Sequence, residues 1–92
     1  MLWRRIINTS DGFTVEHQPE LARFVVNLGS EQAVMTYQLL DEGKIDFNHT
    51  YVPKSARGTG LADILVNEGL VWASTKGFDI QASCWFVRGK LN

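Results

Sequence analysis

The sequence predicts an α+β domain: an antiparallel meander of strands, then a crossover helix, then a parallel closing strand. Three observations lead there. Four short runs of apolar and β-branched residues fill the first half, each bounded by turn residues. One stretch of helical periodicity follows, from Gly60 to Lys76. A further alternating run comes after it, so the helix joins two strands and is long enough for a right-handed parallel crossover. With 92 residues and 45% apolar content, the chain has room for one core. The whole of 1–92 is read as a single compact domain.

The first residues, Met1 to Ile7, carry the pair Arg4-Arg5 but no long apolar core or small-residue cleavage site, so no leader is expected. Asp11-Gly12 marks a turn. Phe13 to His17 alternates and reads as a short strand. Gln18-Pro19-Glu20 turns the chain into a second strand, Ala22 to Leu28, which Gly29-Ser30-Glu31 breaks. Ala33 to Leu40 is the third, and Asp41 to Lys44 forms the hairpin loop behind it. Ile45 to Val52 also alternates. Ile45, Phe47, His49 and Tyr51 are expected on one face, with Asp46, Asn48, Thr50 and Val52 on the other. Pro53 has no N–H to donate and ends that strand. In the helix, Leu61, Ile64, Leu65 and Trp72, with Ala62, Val66, Leu70 and Ala73, make a broad apolar stripe. Gly69 reads as a mild fault in it, worth about 1 kcal/mol against Ala. Lys76 and Gly77 suit its end, and Phe78 to Cys84 is the closing strand.

Between strand and helix lies Val52-Pro53-Lys54-Ser55-Ala56-Arg57-Gly58-Thr59-Gly60-Leu61-Ala62. A helix N-terminus exposes unpaired N–H groups and a partial positive charge. Glycines let the backbone close on an anion, and Arg57 adds a fixed charge that pairs with phosphate oxygens. The segment reads as a pyrophosphate cradle. A nucleotide-hydrolase P-loop needs Gly-Lys followed by Ser or Thr, which the chain lacks. A dinucleotide loop needs a third glycine where Asp63 stands. The pattern Arg/Gln-x-x-Gly-x-Gly/Ala is met at each defined position by Arg57, Gly60 and Ala62.

That pattern is the acetyl-CoA loop of the GNAT superfamily of N-acetyltransferases. The chain resembles its compact single-domain YjdJ-type subfamily from Val15 to Val87. Besides the loop, the resemblance rests on His49-Thr50-Tyr51-Val52-Pro53, Ala82-Ser83-Cys84, Arg23-Phe24 and Tyr37-Gln38-Leu39. It implies a GNAT-like fold with acetyl-CoA as co-substrate and an amine as acceptor. Arg57 and the backbone of Gly58, Thr59, Gly60, Leu61 and Ala62 are then expected to hold the pyrophosphate. Thr50, Tyr51 and Val52 are expected to bond the pantetheine amides as a neighbouring strand would. The resemblance puts Cys84 near the thioester, as an acyl acceptor or as the acid that protonates departing CoA. His49 has the resting pKa of a general base for the amine. Each has a plainer reading: free Cys is often simply buried, and a strand His often just bonds a neighbour.

Other features narrow the class. His17 has no motif around it and reads as structural, Lys54 as solvated surface charge, and Trp3, Trp72 and Trp85 as packing residues. One Cys and two distant His do not make a metal site. A net charge of −1 favours neither nucleic acid nor anionic membrane as partner. No run approaches the ~20 apolar residues of a membrane span. The single cysteine allows no intrachain disulfide, and a reducing cytoplasm is the simplest setting. An open sheet edge is one that a second copy could cover, giving a homodimer.

The alternative function is a non-catalytic acyl-CoA-binding or sensing module. Larger GNAT members carry N-terminal structure that shapes the acceptor site, which a chain this short is expected to lack. The subfamily also continues as a helix well past the cysteine, whereas here Gly89 interrupts the pattern and the sequence stops at Asn92. A third reading, a ligand-free interaction domain, leaves the matching elements around the loop unexplained.

Overall fold

The apolar runs form six strands and two helices in a computed structural model that describes residues 5–9 and 12–91. The strands are β1 (Arg5–Asn8), β2 (Thr14–Gln18), β3 (Arg23–Asn27), β4 (Gln32–Leu40), β5 (Lys44–Tyr51) and β6 (Asp79–Ala82). Helix α1 (Leu61–Thr75) lies between β5 and β6, and α2 (Trp85–Leu91) follows β6. The sheet runs in chain order, antiparallel from β1 to β5, with β6 parallel to β5. This is the predicted α+β topology, with β1 and α2 added. Asp11 and Trp3 lie outside the described residues.

One face of the sheet carries the core. Val15, Phe24, Met35, Tyr37, Ile45 and Phe47 meet Leu61, Leu65, Val66 and Ala73 of α1 and Val87 of α2. Both helices thus cover the same face. Gly69 is no fault in this packing. A β-carbon there would stand 2.3 Å from Met35 Cε and 3.0 Å from Phe47 Cε1. The missing side chain lets α1 lie close against β4 and β5.

His17 is a packing residue. It is 3% exposed, stacks on Phe24 with ring centroids 4.1 Å apart, and meets the edge of Trp72 at 4.5 Å. Its Nε2 lies 2.7 Å from the Tyr37 hydroxyl. Burial lowers its pKa to about 4, despite the opposing influence of Glu20. Burial likewise raises Tyr37 to about 12. The pair is therefore neutral at pH 7.

Two irregularities in β5 shape the rest. Thr36 pairs with His49 but Tyr37 pairs with Phe47, which leaves Asn48 as an extra, bulged residue. A one-residue slip exchanges the faces of everything beyond it. The expected alternation therefore holds through Phe47 and fails after it. Thr50 stands opposite buried Met35, on the helix-covered face, while His49 and Tyr51 stand opposite Thr36 and Val34 on the other. The second irregularity is on the other side of β5. Strand β6 pairs with it only from Lys44↔Asp79 to Phe47↔Ala82. The expected closing strand to Cys84 is cut short because Ser83 and Cys84 turn the chain into α2. Beyond Phe47 the edge of β5 has no ladder partner on that side, and the sheet splays open.

Candidate functional site

Pro53 stops β5, and one 3₁₀ turn, Lys54–Ala56, anchors the loop by burying Ala56. Gly58 and Gly60 have φ of +84° and +82°, values that only glycine adopts without strain. Gly60 is the N-cap of α1, and its carbonyl accepts the first helical bond from Ile64 at 3.1 Å. No side chain caps this helix, so its first-turn N–H groups are left for another acceptor. Asp63 would set a negative charge beside that opening, but Lys90 of α2 pairs with it at 2.5 Å. Arg57 Nε donates to Val52 O at 3.2 Å, which folds the guanidinium back over the end of β5.

Two adjoining clefts run from this loop. One, of about 250 Å³, is lined by Val52, Ala56, Arg57, Gly58, Gly60, Leu61, Ala62, Asp63 and Phe86. The other, of about 380 Å³, is lined by Thr50, Tyr51, Val52, Arg57, Ala62, Cys84, Trp85 and Phe86. Shared walls at Val52, Arg57, Ala62 and Phe86 make them one trough. It extends from the uncapped start of α1, along the unpaired edge of β5, to Cys84.

Cys84 is the N-cap of α2: its carbonyl accepts the Arg88 N–H at 3.0 Å. Its Sγ lies 3.6 Å from Thr50 Oγ1. Burial pushes the thiol up, but the Val87 N–H, the Thr50 hydroxyl and the Phe86 and Thr50 N–H groups together outweigh it. The balance leaves Cys84 below the ordinary thiol range, because donors aimed at sulfur favour the thiolate.

Thr50, Tyr51, Val52, Arg57, Gly58, Gly60, Leu61, Ala62 and Cys84 thus converge on the trough. Thr59 is exposed, and its hydroxyl donates to Ala56 O at 2.6 Å. His49 is exposed on the face away from the helices and lines neither cleft. His49, expected as the general base, therefore stands on the other face from Cys84, because the bulge at Asn48 turns it there. The sequence reading missed Trp85 and Phe86 as trough walls. The available signal was two adjacent aromatics directly after Cys84.

Residues 23–92 match the family model described as GCN5-related N-acetyl-transferase. The chain belongs to that family. It is 26% identical over 84 residues to the NATD1 protein of Xenopus tropicalis, covering 89% of this chain and 77% of that protein. It is 29% identical over 76 residues to the NATD1 proteins of Gallus gallus and Homo sapiens. These alignments cover 80% of this chain and 69% and 67% of those proteins. Membership in the GCN5-related N-acetyltransferase family supports an acyltransferase-like function, and the family typically uses acetyl-CoA. The trough has Arg57 and the uncapped N–H groups of α1 at one end, an unpaired strand edge between, and the Cys84 thiol at the other.

Proposed function

We propose that the protein transfers an acetyl group from acetyl-CoA to an amine. The observation that carries this is the continuous trough from the N-terminus of α1 to Cys84. Arg57 and the N–H groups of Gly58 through Ala62 hold the pyrophosphate. The edge formed by Thr50, Tyr51 and Val52 bonds the amides of the pantetheine arm. Acetyl-CoA brings an activated thioester to Cys84.

Two routes use these residues. In the two-step route, the Cys84 thiolate attacks the thioester carbonyl carbon. A bond to Cys84 Sγ forms, the bond to the CoA sulfur breaks, and that sulfur takes a proton. A neutral amine then attacks the acetyl-cysteine, and its nitrogen gives up a proton as Cys84 departs. In the one-step route, the amine attacks the carbonyl carbon directly, the bond to the CoA sulfur breaks, the Cys84 thiol protonates that sulfur, and the surplus proton on the nitrogen passes back to the Cys84 thiolate. The donors around Sγ stabilise the thiolate, the form that the first route needs.

The test is mass spectrometry of the intact protein mixed with acetyl-CoA, without and then with a panel of amines. The expected result is one acetyl group on Cys84 that amines remove, and no such label in Cys84→Ala. Full turnover by Cys84→Ala would refute the role of the thiol.

The second reading, a non-catalytic acyl-CoA-binding or sensing module, is favoured by the position of His49. Without it, Cys84 and Tyr51 are the side chains lining that cleft that can give or take a proton, and neither is a histidine or carboxylate base. Such a module would bind CoA, acetylate none of the amines, and keep its affinity in Cys84→Ala. The proposed setting is a reducing cytoplasm, where the thiol stays free. The acceptor is an amine of a small molecule or a protein, with neither nucleic acid nor a membrane as partner. Among the described residues β1 is an edge strand of the sheet, and there a second copy would pair.

A further inference from the structure

The short turn between β6 and α2 has every backbone polar group occupied. The Asp46 carboxylate on β5 accepts the Ser83 N–H at 2.7 Å through Oδ1 and the Ser83 hydroxyl at 2.8 Å through Oδ2. From α2, Arg88 Nε donates to Ala82 O at 3.2 Å and Arg88 Nη2 to Ser83 O at 2.9 Å. The Cys84 N–H reaches Phe47 O at 3.1 Å, and the Cys84 carbonyl takes the Arg88 N–H. One carboxylate thus takes the donors of Ser83 and one guanidinium takes the acceptors. These bonds sit where β6 leaves the ladder, where no strand pairing remains to fix the chain.

We propose that Asp46 and Arg88 are positioning residues that clamp Ser83 from two sides and so hold Cys84 Sγ against Thr50 and the first turn of α2. The reasoning is geometric. The Val87 and Phe86 N–H groups favour the thiolate only while Cys84 keeps its N-cap backbone. A seven-residue helix has little intrinsic stability to impose that backbone. The clamp supplies what the helix cannot. It rests on the proposed role of Cys84 at the thioester, but its test does not require acetyl transfer.

The titratable and charged side chains around the turn and its cleft are Tyr51 and Arg57, which line the cleft with Cys84, and Asp46 and Arg88, which bond to Ser83. Lys90, further along α2, is engaged with Asp63. A purely electrostatic role for Asp46 and a positional role differ in sign. Loss of a negative charge would lower the thiol pKa. Loss of the clamp raises it, because the sulfur drifts from its donors.

Cys84 is the single cysteine, so its alkylation by iodoacetamide can be followed against pH without ambiguity. In Asp46→Ala the midpoint is expected to move up. A rise of one pH unit leaves about tenfold less thiolate at neutral pH, partly offset by higher nucleophilicity, so alkylation slows about threefold. Asp46→Asn, which keeps an acceptor for the N–H and a polar atom for the hydroxyl, is expected to hold the midpoint at or slightly below the wild-type value. Arg88→Lys, which keeps the charge but not the two-pronged reach to both carbonyls, should raise it as Asp46→Ala does, and it replaces that variant if Asp46→Ala fails to fold. A folded Asp46→Ala or Arg88→Lys with an unchanged or lowered midpoint would overturn the proposal, as would an Asp46→Asn that behaves like Asp46→Ala. A shifted midpoint in a protein that acetylates no amine would leave the clamp standing and remove the transferase reading alone.

Discussion

His17 and Cys84 make an instructive pair. Each is a titratable side chain within hydrogen-bonding reach of a hydroxyl, Tyr37 for one and Thr50 for the other. Around His17 the ladder is complete: β2, β3 and β4 pair without a break and α1 closes over them. Burial dominates there and holds the imidazole neutral. Around Cys84 the ladder has ended, and a helix start supplies N–H donors where a strand would have supplied a side chain. Donors dominate, and the thiol shifts toward its charged form. A hydroxyl neighbour therefore does not decide what a titratable group does. The continuity of the sheet around it decides.

The largest expected effect falls on the open side. Cys84→Ala should cut acetyl transfer by about 10²-fold or more while leaving CoA binding near the wild-type level, measured by calorimetry beside steady-state kinetics. Equal losses in both would mean that Cys84 shapes the cleft rather than reacting in it.

The closed side gives the next effect, in stability. The folded pKa of His17, about 4, lies below the unfolded value near 6.5. Between these values the unfolded chain binds the extra proton. Stability should be full above about pH 6.5 and fall as pH drops toward 4, by about 1.4 kcal/mol for each unit of the depression. Urea titrations in that window should lose this slope in His17→Gln. A slope unchanged by the substitution would place the proton uptake elsewhere.

Gly69→Ala sits under both regions, on the helix that spans them. Helix propensity favours Ala by about 1 kcal/mol, but its methyl would collide with Met35 and crowd Phe47. Overpacking of this kind costs about 1–3 kcal/mol, so a net loss on the order of 1 kcal/mol is expected in denaturant unfolding. A gain would show that Met35 swings aside freely.

The smallest effect is expected for His49→Ala. It lies on the uncovered face, so transfer at neutral pH should change less than about threefold and CoA binding not at all, on a scale where general-base loss costs about 10²-fold or more. A large drop in turnover with the low-pH limb of the pH profile lost would make His49 the base.

Much of the closed region was legible in the sequence, because period-2 runs and glycine or proline punctuation mark strands that are paired throughout. The helix and its loop were legible for the same reason: the φ values at Gly58 and Gly60 need glycine. Strand β1 was missed because Arg5-Ile6-Ile7-Asn8 is too short to show a period. The faces of β5 beyond Phe47 were misread because a bulge leaves no compositional mark. Asn48 is an ordinary strand-edge residue, and the slip shows only in pairing with β4. The trough residues could be named because the Arg57, Gly60 and Ala62 pattern, with the elements on either side, resembles a known family's loop. The separation of His49 from Cys84 could not, since it follows from that one inserted residue.

The most direct test of the acyl-CoA trough is thermal unfolding of the wild type and of Arg57→Ala, each with and without CoA and acetyl-CoA. A ligand that binds only the folded state, at ~100 times its dissociation constant, adds about 2.7 kcal/mol. In a domain of this size that amounts to several degrees. A rise in the wild type that shrinks in Arg57→Ala is the expected result. An unchanged melting temperature for the folded wild type at saturating CoA and acetyl-CoA would contradict the trough as an acyl-CoA site.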